Sequence, residues 1–303
     1  MRKFLFGLAI LAVVAAGCAP EEDDAPPADD GATATEPAPV DPASCAAEAG
    51  TIEDGVLTVG TGNPAFPPWW EGGTTDENPD WEFNDPHLLQ GFEGATVGAV
   101  AEQLGFGPDD IRFVPVPFNK SFAPGPKDFD LVLQQISYSD KRAEAVDFTE
   151  SYYDVNQALV SVKGSDIENA TTLEELQSAK LGAPLGTTSF DYIEQNIQPT
   201  EEPAVYNDLN GAVQALKNGQ VDGIVVDLPT AFFVTAVQIP KGVIVGQFPT
   251  VGAQEYFAMA LEKDSALTEC LDLALQALKD DGTLAEIQQE WLADKASAPV
   301  IEG

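Results

Sequence analysis

The stretch from Asp128 to Tyr153, DFDLVLQQISYSDKRAEAVDFTESYY, constrains this chain more than any other. Leu131, Val132, Leu133 and Ile136 make the brief apolar run expected of a strand covered on both faces. Ser137, Ser139 and Asp140 then make a turn able to cap the helical turn that follows. Arg142 therefore falls just beyond a strand's carboxyl end, where open α/β sheets hold their ligands. A guanidinium there can grip a carboxylate through two parallel charge-assisted hydrogen bonds. The stretch leaves a second reading open, in which Arg142 pairs on the surface with Asp140, Glu144 or Asp147.

Short apolar strands alternate with amphipathic helices along the rest of the chain. Gly55 to Thr61 reads as a strand, Thr96 to Leu104 as a helix with Val97, Val100, Ala101 and Leu104 on one face, and Ile111 to Val116 as the next strand. This βαβ order implies a parallel sheet. The second half repeats the logic with a capping box at Thr172 and Glu175, a strand at Leu181 to Ala183, and a helix at Gly211 to Lys217 stopped by Asn218 and Gly219. A buried strand at Val221 to Val226 follows, then Val243 to Val245, a return through Glu255 to Leu261, and two C-terminal helices. Thr283 and Glu286 are expected to cap the second of these, with Trp291 packing its end. The span from about Gly50 to Leu292 suits two modest α/β lobes.

Arg2 and Lys3, the apolar run Phe4 to Ala16 and the small Gly17 have the form of a signal peptide over residues 1–17. The run is too short to span a bilayer comfortably. Ala15-Ala16-Gly17-Cys18 resembles a bacterial lipobox, with Ala15 where leucine is usual, and this makes Cys18 the lipidated first residue of the mature chain. Ordinary cleavage with an unmodified Cys18 is the alternative. Residues 18–44 are rich in Pro, Ala and acidic residues, have no Lys or Arg, and read as an extended, self-repelling tether. With Cys18 taken by lipid, Cys45 and Cys270 remain in an oxidising compartment, where a disulfide joining the two ends is the expectation and two buried free thiols the alternative. Neither cysteine has a metal partner at ligand spacing, so no zinc site and no cofactor is expected.

The formal net charge is −36, which removes nucleic acid from the candidate partners, since phosphate binding runs on basic patches. Such acidity fits a protein held off an anionic surface.

The run from Ser139-Asp140-Lys141-Arg142 to Val146-Asp147-Phe148-Thr149-Glu150-Ser151-Tyr152-Tyr153 resembles the T-P-E-R…V-D-F-S-x-P-Y-Y signature of the polar amino acid branch, family 3, of bacterial solute-binding proteins. These are the extracytoplasmic receptors of ABC importers. Ser139 stands for threonine and Asp140 for proline, substitutions that keep the turn chemistry. The resemblance covers nearly all of the folded span. It implies an α/β architecture of two Rossmann-like lobes joined by two crossing hinge strands, the periplasmic binding protein type II fold, with a ligand cleft between the lobes. Lobe one would take residues 45–154 plus 258–303, and lobe two residues 155–257.

Leu185-Gly186-Thr187-Thr188-Ser189 follows a strand and opens a helix, so it reads either as an anion site or as plain capping chemistry. The resemblance implies that Thr188 meets the ligand's α-carboxylate opposite Arg142 and Ser137, with Gln135 in the same set. Asp227 ends the run VDGIVVD before Leu228-Pro229 and either points into the crevice or caps the next helix. The resemblance assigns it to the α-ammonium. Asn63-Pro64-Ala65-Phe66-Pro67-Pro68-Trp69-Trp70 resembles the family's T-D-x-x-Y-P-P-F loop, with Asn63 where aspartate often stands. That change disfavours a lysine or arginine ligand. Phe66, Trp69 and Phe118 are then aromatic walls of the site, or else ordinary core, and Trp70 is read as core. Residues 71–90, with Trp81 and the single histidine His87, have no family counterpart and read as a surface loop or a lid.

These readings converge on a monomeric receptor, anchored outside the cell membrane by an N-terminal lipid at Cys18, on the periplasmic side where an outer membrane exists. It would capture an amino acid, polar by the resemblance, and deliver it to an ABC permease. The rival is an enzyme on the same fold, akin to prephenate or arogenate dehydratases, with Asp227 or Glu71 as acid. No Ser-His-Asp set, Cys-His pair or phosphate loop supports other chemistry. A protein that presents its ligand to a separate sensor is the third reading.

Overall fold

The computed structural model describes residues 40–292 and 297–303. The expected signal segment, Cys18 and the tether as far as Pro39 lie outside the described residues. Folding starts earlier than the expected end of the tether. Pro42–Ala49 is a helix, because the Asp41 side chain accepts from the Ser44 N–H and Pro42 occupies the first turn, where its missing N–H costs nothing.

Ten strands form two five-stranded sheets. They are β1 (Leu57–Thr61), β2 (Ile111–Pro115), β3 (Leu131–Val132), β4 (Val146–Asp154), β5 (Gln157–Val162), β6 (Leu181–Pro184), β7 (Ala204–Tyr206), β8 (Gly223–Asp227), β9 (Gly242–Gln247) and β10 (Tyr256–Glu262). The first sheet runs β2-β1-β3-β10-β4 and the second β7-β6-β8-β5-β9. In each sheet three parallel strands are joined by antiparallel partners: β1 pairs parallel with β2 and β3, while β10 runs against β3 and β4. β6 likewise pairs parallel with β7 and β8, and β5 runs against β8 and β9. The chain crosses between the sheets from β4 to β5 at residues 155–156 and back from β9 to β10 at residues 248–255.

Each sheet builds its own core. All five β1 residues are buried, and Leu57, Val59 and Leu133 pack with Trp69, Trp70, Phe92 and Phe257 in lobe one. In lobe two Ala158, Val160, Ile224 and Val226 pack on the helix Leu209–Lys217, while Leu159, Leu181 and Val225 pack on the other face. The helix expected from Thr96 begins at Phe92. Gly91, at φ +86°, lets the chain turn beneath Trp69, whose carbonyl oxygen would lie 2.5 Å from any Cβ there.

Cys45 and Cys270 form the expected disulfide, with Cα atoms 5.4 Å apart, joining the first helix to the helix Leu267–Asp280. Three expectations change. β3 is two residues long, because Gln135 at φ +55° turns the chain, although Leu133 and Ile136 stay buried. Thr283 is the first residue of its helix and not its cap; Asp281 Oδ1 accepts its N–H at 2.8 Å. The segment 299–302 belongs with lobe two: Gln247 N–H donates to the Pro299 carbonyl at 2.8 Å, Glu302 N–H donates to Thr171 at 2.7 Å, and Ile301 is buried in the lobe-two core. Burying Ile301 accounts for that crossing. No helix among the described residues is long and apolar enough to cross a membrane.

Candidate ligand cleft

A cavity of about 700 Å³ lies between the lobes, beyond the carboxyl ends of β1, β6 and β8. Ser137, Arg142, Thr188 and Asp227 all line it, as do Asn63, Phe66, Phe118 and Gln135.

Arg142 sits in the short helix Asp140–Ala143, whose N-cap Ser139 accepts from the Arg142 N–H. Its guanidinium is buried, with Cζ 4.3 Å from the Phe122 ring centre and 5.6 Å from that of Phe118. One nitrogen donates to the Ser137 carbonyl and another to the Gly186 carbonyl at 2.8 Å. The surface pairing is absent: among the described residues Arg142 has no carboxylate within salt-bridge distance, and Asp147 pairs with Lys263 at 3.0 Å. Burial lowers its pKa, while Asp191, Glu255 and Asp227 pull the other way. A buried cation whose guanidinium meets, among the described residues, only carbonyls and aromatic faces is held ready for an anion.

Asp227 precedes the helix Leu228–Phe233 but makes no capping bond; its Oδ1 accepts from Gln157 Nε2 at 2.9 Å. Burial, reinforced by the Glu255 charge, pushes its carboxyl up to about 8. Thr187 does the capping at the other loop, accepting from Phe190 N–H at 3.2 Å and donating to the Pro184 carbonyl at 2.8 Å. Thr188 is thereby left on the cavity wall, its Oγ1 3.3 Å from Ser137 Oγ of the opposite lobe.

Two expected site residues are otherwise engaged. Trp69 does not line the cavity; it is buried among Phe92, Tyr153 and Phe257, and its indole N–H donates to Thr230 Oγ1 of lobe two at 3.1 Å. Asn63 borders the cavity, but Nδ2 donates to the Asp80 carbonyl at 3.0 Å and Oδ1 accepts from Glu82 N–H at 2.8 Å. Its amide therefore anchors the insertion. That insertion is closed at its base by pairing of Glu71 with Gln90, buries Trp81 in the lobe-one core, and sets Phe83 against both Phe66 and Phe233. It is a surface strap, pinned by the buried Trp81 and Pro86 while more than half of its residues, Phe83 included, are exposed.

Residues that no sequence pattern singled out complete the polar network. Gln157 Oε1 accepts from Ser189 Oγ at 2.6 Å, and Glu255 Oε1 accepts from Ser137 Oγ at 2.6 Å. Their only signal is position, as polar residues flanking the two crossings. Below the floor Glu93 accepts from Tyr152, from Trp70 Nε1 at 3.1 Å and from both the N–H, at 2.7 Å, and the carboxamide of Gln135. Burial pushes Glu93 up to about 7, against the hydrogen bonds from Tyr152, Gln135 and Trp70. The Gln135 side chain is thus committed to the floor. Among the described residues no cluster of potential metal ligands occurs.

Two α/β lobes hinged at paired crossings, with a buried cation and a half-buried carboxylate lining the cleft, define a two-lobed solute-binding protein. Residues 72–294 match the sequence model of the bacterial extracellular solute-binding proteins, family 3, and the chain belongs to that family. It is similar to the arginine-binding extracellular protein ArtP of Bacillus subtilis, 27% identical over 227 residues that make up 72% of this chain and 84% of that protein. It is also similar to the L-cystine-binding protein TcyJ of Escherichia coli, 26% identical over 216 residues, 70% of this chain and 78% of that one. A solved structure of an ancestral arginine-binding protein bound to arginine superposes with a TM-score of 0.62 and 28% identity, covering 78% of this chain and 98% of that chain.

Proposed function

We propose that this protein is the receptor of an ABC importer, capturing a free polar amino acid between its lobes and handing it to a membrane permease. The observation that carries the reading is Arg142, a buried guanidinium without an anionic partner among the described residues, in a cavity that also holds the carboxylate of Asp227. An α-amino acid is the zwitterion that meets both charges. Arg142 and Thr188 take its carboxylate, Ser137 and Asp227 its ammonium, and Phe66 and Phe118 flank its side chain. Gln135 holds the floor through Glu93, while Trp69 and Asn63 support the walls from behind. The names of the relatives, which bind arginine and L-cystine, support an amino acid ligand. Lipid at Cys18 holds the receptor beside its permease on the outer side of the cell membrane. The protein acts as a monomer and performs no chemistry.

The test is a thermal-shift screen of the purified protein against the twenty amino acids, polyamines, sugars and prephenate. Binding to the native state alone raises the midpoint by mass action. A shift with one or a few amino acids is expected. A shift with prephenate alone, or with none of the amino acids, would overturn the reading.

A further inference from the structure

Ser137 Oγ lies 2.6 Å from Glu255 Oε1 and 3.3 Å from Thr188 Oγ1. A serine hydroxyl has one proton, and an ionised carboxylate can only accept. The short, charge-assisted contact takes that proton, so Ser137 presents only lone pairs to the cavity it lines. Gln157 is oriented with equal definition: its Oε1 is occupied by the Ser189 hydroxyl at 2.6 Å, which turns Nε2 toward Asp227 Oδ1 at 2.9 Å and Glu255 Oε2 at 3.1 Å. One carboxamide thereby spaces two carboxylates, and the Glu255 charge stands behind the cavity wall.

We propose that Glu255 is a positioning residue for the ligand's amino group: by holding the Ser137 proton it makes Ser137 purely hydrogen-bond accepting, so that beside the ionised form of Asp227 the corner between them offers an ammonium acceptors alone. An –NH3⁺ satisfies both acceptors there. A hydroxyl, with a single proton, leaves one of them unmet at the cost of desolvating it. The inference rests on the amino acid reading of the cleft and adds to it how the ammonium is distinguished from isosteric groups. Glu255 is also one cause of the raised Asp227 pKa, so an arriving ammonium relieves a repulsion already built into the site.

The experiment is calorimetry on the full chain with two probes. One is the L-amino acid that the parent binds tightest among the twenty. The other is the 2-hydroxy acid of the same skeleton, L-phenyllactate for L-phenylalanine or L-2-hydroxyglutarate for L-glutamate. In Glu255→Gln the new carboxamide can donate to Ser137 and free its proton. Amino acid affinity should fall roughly tenfold or more, the loss expected for a hydrogen bond to a charged group, while the hydroxy acid binds as well as before or better. Glu255→Ala should move the ratio in the same direction, and in a Ser137→Ala background Glu255→Gln should change the ratio no further. Equal losses for both probes, an unchanged ratio, or full additivity with Ser137→Ala would overturn the assignment while leaving the receptor reading intact. A parent that binds none of the twenty overturns both.

Discussion

Arg142 donates to the carbonyl of Gly186 at 2.8 Å, so the cation of one lobe is tied directly to the cavity-lining loop of the other. The same guanidinium carries the cavity's positive charge. Removing it deletes an interlobe bond and leaves a ligand carboxylate with no counter-charge. For Arg142→Ala we expect amino acid binding to weaken by about 2 to 5 kcal/mol, orders of magnitude in affinity, with the far-ultraviolet circular dichroism unchanged. Calorimetry that finds parental affinity in the variant would end the clamp assignment.

Asp227 predicts a pH dependence of definite sign. Burial first, then the Glu255 charge, raise its carboxyl to about 8, with Arg142 opposing and Tyr152 and Tyr153 close enough to feel its charge. At neutral pH the empty site therefore holds a proton that an ammonium must expel. Affinity should rise by up to about tenfold per unit as pH climbs toward 8, with proton release on binding. Calorimetry in buffers of different ionisation enthalpy measures that release directly; flat affinity from pH 6 to 8 without proton release would contradict it. Because the folded pKa exceeds the unfolded one, the stabilising contribution is complete below the unfolded value near 3.8 and is lost as pH rises through about 8. Asp227→Asn should then melt higher than the parent at pH 8 to 9 in the absence of ligand, while failing to bind.

The disulfide lies at the ends of the folded chain, in lobe one and away from the cavity-lining residues. Cys45→Ser should lower stability by about 2 to 4 kcal/mol, seen as a drop of several degrees in Tm, because the unfolded chain regains the freedom of a long loop. Ligand affinity at 25 °C should stay within about twofold, since no cleft residue depends on the bond. A loss of binding that parallels the loss of stability would show the ends coupled to the cleft.

The sheets were legible in the sequence where short strands are dominated by apolar or small residues buried on both faces, as at β1 and β8, because few polar positions confuse the pattern. Position near a strand's carboxyl end made Arg142, Thr188 and Asp227 candidates, but pairing or capping remained open for each, and only the family resemblance implied a ligand role. What stayed hidden depends on contacts remote in sequence. Gln135 turns the chain at φ +55° with its N–H and side chain held by Glu93, 42 positions away, so no local pattern shortens β3. Glu255 meets Ser137 across 118 positions, and only because both crossings run side by side. Asn63 looks like a binding residue in its loop, yet its amide is used up by backbone groups of the insertion.

That insertion makes the last prediction. Phe83 has φ +83°, a conformation strained for a bulky residue, and its ring lies 5.6 Å from Phe66 and 5.9 Å from Phe233. Phe233 belongs to lobe two, while Phe66 and the strap that carries Phe83 belong to lobe one, so the Phe83–Phe233 contact exists only while the lobes are together. Its loss must fall on the closed state and leave the open one nearly unchanged. An aromatic pair contributes about 1 kcal/mol beyond the area it buries, and Phe83→Ala should therefore speed ligand dissociation by roughly fivefold or more while association changes little. Stopped-flow kinetics separate the two rates. The same dissociation rate in variant and parent would mean that the strap decorates lobe one without clasping lobe two, whereas a slowed association would mean that Phe83 helps to form the open site.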